Sequence, residues 1–275
     1  MRDAAHVLEL RQAVEALDSN AQIIAKIENQ EAIRNLDAII GASDAILIAR
    51  GDLGTEIAFE ELPILQRRIV KRCHQLGKRS IVATQMLESM IANPMPTRAE
   101  VTDVANAAYE DADALTLTGE TSAGQFPVEC VEALVRITAR IERSGGLGYG
   151  SLVQLHDDRQ KTANAAVTLV DSLSNACLVV LTRRGVMANH AALFRPRTRS
   201  FFAFSPKERV CRQLALTRGI RSFKIPFAAT IDETVRRAVA CLREAGLVHP
   251  GTRLVIVSDI LSDDLAANSI LLHHA

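Results

Sequence analysis

The sequence predicts an α/β protein: four β/α units, half of what a closed (β/α)8 TIM-type barrel requires, followed by a smaller α/β domain with a mostly parallel sheet. Three observations predict it. Through the first 145 residues, short β-branched apolar runs are each followed by a polar loop and then by a stretch with apolar residues three and four apart. The strand starts lie roughly 23 to 35 residues apart, room for a crossover helix each time, so the strands pair in parallel. A stretch with four glycines in eight residues, 144–151, then reads as a linker across which the composition changes.

In chain order, the strands of the first part are 22–27, 45–49, 80–83 and 114–118, and Leu62, Leu65, Ile69 and Cys73 mark the apolar face of one intervening helix. Beyond the glycines come a helix near 160–174, a strand at 177–181, a helix near 186–193, a strand at 200–204 and a helix from about 207. A helix at 231–244, a strand at 252–257 and a last edge strand at 269–272 complete the second part. The domains therefore read as 1–145 and 146–275.

Composition narrows the function. A chain of 275 residues with 48% hydrophobic and 23% charged residues buries a sizeable core, which excludes a disordered or fibrous protein. Aromatics are 4%, with no Trp and two Tyr, too few for a platform that stacks single-stranded nucleic acid. No apolar run reaches the ~20 residues that span a bilayer, and the amino terminus opens charged, without a signal-peptide apolar region. Five cysteines, at 73, 130, 177, 211 and 241, are odd in number and never form a C-x-x-C pair, against zinc or a disulfide framework. These features predict a cytoplasmic protein with neither nucleic acid nor membrane as partner. The net charge of zero hides an asymmetry: residues 183–224 hold eleven Lys or Arg against the single acid Glu208. That segment is suited to meeting anions.

In parallel α/β sheets, ligands gather at the carboxyl ends of the strands. All four strand ends here carry reactive side chains: Lys26-Ile-Glu28-Asn29, Arg50-Gly51-Asp52, Thr84-Gln85 and Thr118-Gly-Glu120-Thr121. Period-two alternation puts Lys26 and Glu28 on one face. Glu28 and Asp52 on adjacent ends suit Mg²⁺ (or Mn²⁺), a hard ion that takes one or two carboxylates and keeps waters for substrate oxygens to replace. A lysine beside them suits a phosphoryl group. The structural alternatives stand alongside: a Lys–Glu pair that only braces the strand, Asp52 in a glycine turn, and Thr84 as a helix cap. Neutral turns need no aligned charges, so the coincidence of four ends favours chemistry.

The segments Ile24-Ala-Lys-Ile-Glu-Asn29, Ile48-Ala-Arg-Gly-Asp-Leu-Gly54, Ala83-Thr-Gln-Met-Leu-Glu-Ser-Met90, Pro96-Thr-Arg-Ala-Glu-Val-Thr-Asp-Val-Ala-Asn106 and Leu117-Thr-Gly-Glu-Thr-Ser-Ala-Gly124 closely resemble pyruvate kinases. Phe194-Arg-Pro196 and Arg212-Gln-Leu-Ala-Leu216 continue the resemblance into the carboxyl-terminal domain, so it covers essentially the whole chain. It implies a Mg²⁺-dependent transfer of the phosphoryl group of phosphoenolpyruvate to ADP, giving pyruvate and ATP. Lys26 matches the lysine that stabilises the phosphoryl group in transit. Glu28 and Asp52 match the metal ligands. The amides of Gly51 and Asp52, with the Thr84 hydroxyl, match the group that holds the substrate carboxylate. Arg50 matches a residue that helps hold the site or a subunit contact. Thr118 stands where the family usually has Ser and keeps the hydroxyl.

Two departures qualify what the resemblance implies. The family's barrel has eight strands and an inserted lid, and this sequence aligns from just after the fourth strand. The K⁺ ligands, one arginine and the lid are expected in the absent half. Either another chain, in a homo-oligomer or as a complementing amino-terminal half, completes the barrel, or the chain is a truncated product, or it is a non-catalytic regulatory or binding module. In the second domain, the loop where the family often binds a sugar-phosphate effector keeps Thr182 and Gly185 but replaces its other hydroxyls, leaving Arg183 and Arg184 to clasp an anion or to form a solvated or subunit-facing surface.

Overall fold

A computed structural model describes residues 1–198, 200–258 and 268–275. The chain divides into two compact units, Met1–Leu152 and Val153–Ala275. The glycine-rich stretch goes with the first of them: Leu147 N donates to Tyr109 O at 3.0 Å, and Tyr149 is buried.

The first unit runs α1 (Ala4–Ala16), β1 (Ile24–Ile27), α2 (Gln30–Arg34), α3 (Leu36–Ala42), β2 (Ala45–Ala49), α4 (Arg50–Glu56), α5 (Leu62–Gln75), β3 (Arg79–Ala83), α6 (Arg98–Tyr109), β4 (Ala114–Thr116), α7 (Gly119–Ser122) and α8 (Pro127–Glu142). The four strands form one parallel sheet in the order β1-β2-β3-β4. β2 and β3 are central, with an apolar run covered on both sides, as in parallel sheets generally. β1 is an edge strand and alternates: Ala25 and Ile27 enter the core, while Ile24 and Lys26 face outward. The core gathers Ile27, Ile46 and Ile48 from the strands, Ile39 and Ile40 from α3, and Ile69 from α5. Helix starts are capped as the residue types dictate: Asp3 accepts from Ala5 N, Asn29 from Ala32 N, and Thr97 and Glu100 form a reciprocal capping box.

β4 stops at Thr116, two residues before the apolar run ends, because the Glu120 carboxylate accepts the Thr118 amide at 2.7 Å and turns the chain into α7. Gly124, four residues on, is a position where only glycine fits. A Cβ there would collide with the carbonyl oxygen of Glu120 and sit 3.3 Å from the Ile91 Cα, both of them backbone. Gly124→Ala is therefore expected to cost about 1–3 kcal/mol, the range for overpacking that forces a backbone shift. A urea titration checks it, and an unchanged midpoint would show that this turn yields freely.

The second unit runs α9 (Asp158–Ser172), β5 (Ala176–Leu181), α10 (Val186–Leu193), β6 (Phe201–Ser205), α11 (Glu208–Leu214), β7 (Ile220–Lys224), α12 (Ile231–Glu244), β8 (Arg253–Ser258) and β9 (Ser269–His274). Its sheet has the order β7-β6-β5-β8-β9, parallel except for β9 against β8. Alternation along β5 splits two cores. Leu178 and Val180 pack with α9 and α10, and Cys177, Val179 and Leu181 pack with α12. β7 is a strand that periodicity does not reveal: Ile-Arg-Ser-Phe-Lys sits in the basic segment and is only half buried, as an edge strand is. Among the described residues, no helix is long and apolar enough to cross a membrane.

Candidate active site at the strand carboxyl ends

The parallel register builds the site. Ile27 pairs with Ile48 and Ala49 with Ala83, so the residues that follow β1, β2 and β3 emerge side by side. Lys26 Nζ donates to Glu28 Oε2 at 2.6 Å and to Asp52 Oδ2 at 2.7 Å. Asp52, then Glu28, raise the lysine's affinity for its proton, and the Lys26 ammonium holds the Glu28 carboxyl below the usual carboxylate range.

These side chains are 48%, 32% and 55% exposed for Lys26, Glu28 and Asp52. Exposed ion pairs contribute only about 0–1 kcal/mol each and lose side-chain entropy on forming. Stability is thus a poor reason for three charges to converge here. Glu28 also pairs with the Met1 amino-terminal ammonium at 3.4 Å, so two carboxylates and two ammonium groups converge, and the hard oxygens of Glu28 and Asp52 meet at the Lys26 nitrogen. Such a donor set fits Mg²⁺, with water and substrate oxygens completing the shell. No group of three or more His, Cys, Asp or Glu arranged for a metal exists among the described residues, so this pair would depend on those outside ligands.

Beside the charges lies a strained turn. Thr84 and Gln85 both have left-handed backbones, φ +70° and +54°, although neither is glycine, and each such residue costs about 1–2 kcal/mol. Arg50 holds them. Its guanidinium, 6% exposed, donates to Thr84 O at 2.7 and 3.3 Å and to Gln85 O at 3.0 Å, and it pairs with Asp103 Oδ1 at 2.7 Å. The turn aims the Thr84 hydroxyl at α4, where Oγ1 accepts the Gly51 amide at 2.8 Å, one of the donors a helix start leaves unpaired. Thr84 thus caps a helix that is not its own. Gly51 N and the Thr84 hydroxyl, both assigned by resemblance to a substrate carboxylate, are bonded to each other.

Two further carboxylates, Glu120 from the fourth strand end and Glu100 from α6, support this floor. Glu120 is buried and accepts the amides of Leu87 at 3.1 Å and Thr118 at 2.7 Å, joining the β3 loop to the end of β4. Burial alone would raise its pKa; the Thr118, Glu120 and Leu87 amides outweigh burial and keep it lowered. Glu100 accepts Ser89 N at 2.7 Å and Thr97 N at 2.8 Å. Its Thr-x-x-Glu spacing is a sequence signal; Glu120 stands at the fourth strand end already singled out, but its amide partners are not legible there.

In the second unit, Thr182 is buried, and its hydroxyl accepts Gly185 N at 3.1 Å. Gly185, at φ +82°, is the N-cap of α10, and Arg183 and Arg184 are exposed beside it.

A parallel β/α barrel segment with a lysine–carboxylate cluster at its strand carboxyl ends, joined in sequence to a mixed-sheet α/β unit, defines a two-unit protein of barrel type. The family model described as pyruvate kinase, barrel domain, matches residues 1–131, and that described as pyruvate kinase, alpha/beta domain, matches 160–272. The pyruvate kinase of Geobacillus stearothermophilus is 38% identical over 100% of this chain and 47% of its own length. The chloroplastic pyruvate kinase isozyme G of Ricinus communis is 38% identical over 94% of this chain and 62% of its own length. A crystal structure of a pyruvate kinase from Cryptosporidium parvum superposes with a TM-score of 0.90 at 30% identity, covering 100% of this chain and 57% of that one. The chain belongs to the pyruvate kinase family, and it spans about half the length of the curated relatives it matches.

Proposed function

We propose that this chain supplies the metal-binding and phosphoryl-binding side of a pyruvate kinase-type site, which moves the phosphoryl group of phosphoenolpyruvate to ADP in cytoplasmic glycolysis. The observation that carries the reading is the Lys26 ammonium held between Glu28 and Asp52 at the strand carboxyl ends. Glu28 and Asp52 would hold Mg²⁺, which neutralises phosphoryl charge when bound. Lys26 would bind the oxygens of the phosphoryl group while its bond to the enolate oxygen breaks and one to the terminal ADP oxygen forms. Phosphoryl transfer depends on such positioning and charge neutralisation more than on covalent help. Arg50, through Thr84 and Gly51, orients the polar groups that would receive the substrate carboxylate. The remaining K⁺, lid and arginine contributions would come from an amino-terminal half or a second copy of the chain. Arg183 and Arg184 are the cations an anionic effector would meet in the second unit.

Metal affinity tests the first assignment directly. Mn²⁺ is expected to bind wild type weakly, and phosphoenolpyruvate to tighten it by adding oxygens. The Glu28→Gln, Asp52→Asn double variant should lose this binding, followed by Mn²⁺ electron paramagnetic resonance. Identical titration curves for the two proteins would remove the metal from this pair.

A further inference from the structure

α5 carries a second charged site that shares no residue with the strand ends. A cavity of about 500 Å³ is lined by Ile64, Arg67, Arg68, Lys71, Arg72 and Gln75 of that helix, with Asp37 and Tyr149 opposite. The helix positions recur three and four apart, so they form one face, opposite the Leu65, Ile69 and Cys73 that enter the core. Four cations within two turns are costly, because like charges four apart on a helix repel. The negative carboxyl end of the helix offsets this for Arg72, in the last turn, but Arg67 and Arg68 lie a turn earlier.

Two of the four are anchored by acids from elsewhere in the fold. Arg72 makes a bidentate pair with Asp37, at 2.7 and 2.9 Å. Arg67 Nε donates at 3.1 Å to Glu110, a buried carboxylate that also accepts Gln66 Nε2 at 2.8 Å and Asn106 Nδ2 at 3.2 Å. Those acids are fully engaged. Arg68 and Lys71 are exposed and make no ion pair among the described residues. Arg67 is held through Nε, and with Arg68 and Lys71 it makes three cationic residues lining one concavity. The volume is that of small-molecule pockets, about 300–1,000 Å³, and several times what a single phosphate group fills. Ile64 and Tyr149 give it a non-polar wall.

We propose that this face binds a small organic phosphate: the phosphate on Arg67, Arg68 and Lys71, and a ring or carbon body against Ile64 and Tyr149. Guanidinium groups match phosphate oxygens in pairs, which a diffuse surface charge does not.

Calorimetric titration of the full chain in EDTA tests the proposal, with phenyl phosphate, inorganic phosphate and phenol as probes. Phenyl phosphate should bind at one site per chain, inorganic phosphate more weakly, and phenol not at all. Arg68→Gln, Lys71→Gln should weaken phenyl phosphate at least ~10-fold, the ratio equivalent to one lost charge-assisted hydrogen bond. Both residues are exposed and make no ion pair among the described residues, so that variant should keep the wild-type melting temperature. Arg136→Gln, Arg143→Gln removes the same charge from α8 and its carboxyl-terminal flank and should leave binding intact. Lys26→Met should also leave it intact, which separates this face from the strand-end site. The proposal fails if phenyl phosphate does not saturate, if both arginine-containing double variants weaken it equally, or if Lys26→Met abolishes it. It fails too if only an acidic polymer such as heparin binds, since the face would then be a macromolecular contact.

Discussion

Lys26→Met will abolish the pyruvate formation recovered when this chain is mixed with a separately produced amino-terminal half of a related pyruvate kinase, and it will leave the complex assembled. Lys26 stands where two carboxylates meet, with both pairs at 2.6–2.7 Å, so its charge lies at the focus of the site. Removing a single preorganised donor of charge stabilisation typically lowers kcat by about 10²–10³. Methionine keeps the length and much of the volume of the side chain. The 48% exposure of Lys26 means that little packing is lost. Turnover by coupled assay and assembly by size-exclusion chromatography read the two halves of this expectation separately. The unmixed chain is expected to be nearly inactive, because a half cage leaves water to screen the remaining charges. Robust turnover by the chain alone, or a Lys26→Met mixture as fast as wild type, would overturn the proposed role.

Arg50→Ala is expected to carry the largest stability loss in the first unit, about 1–3 kcal/mol, since it removes a buried guanidinium and leaves part-buried carbonyls and a carboxylate without their donor. The carbonyls of Thr84 and Gln85 and the Asp103 carboxylate all depend on this guanidinium. Without it, nothing offsets two successive left-handed residues, and the turn should relax toward ordinary backbone. Thr84 then leaves Gly51. Arg50→Lys keeps the charge but has no fork of donors, so it should fall between wild type and alanine. Guanidinium denaturation measures the loss. The Mn²⁺ affinity of Arg50→Lys then reports whether the turn also positions Asp52. Full stability in Arg50→Ala would show that the turn is held by other contacts.

Much of the first unit is legible in the sequence because its signals are short-range. Strand and helix periods repeat within a few residues, and Thr97 and Glu100 of the capping box lie three apart. The charges at the strand ends follow from period two and from parallel pairing, and five family-like segments reinforce them. Local signals fail where burial is partial or charge conceals it: β7 has too few apolar residues for its period to show.

Tertiary structure alone decided the partners. Arg50 meets Asp103 across 53 residues, Gly51 meets Thr84 across 33, and Glu120 meets the Leu87 amide across 33. No local pattern encodes such pairs, because they exist only once the parallel register has brought separate strand ends to one level. The same holds for the basic face of α5. The sequence shows a run of cations, and only the packed structure shows that Asp37 and Glu110 engage two of them, while Arg68 and Lys71 make no ion pair among the described residues. Periodicity records which residues must leave water; which charge answers which is settled by distances that arise on folding.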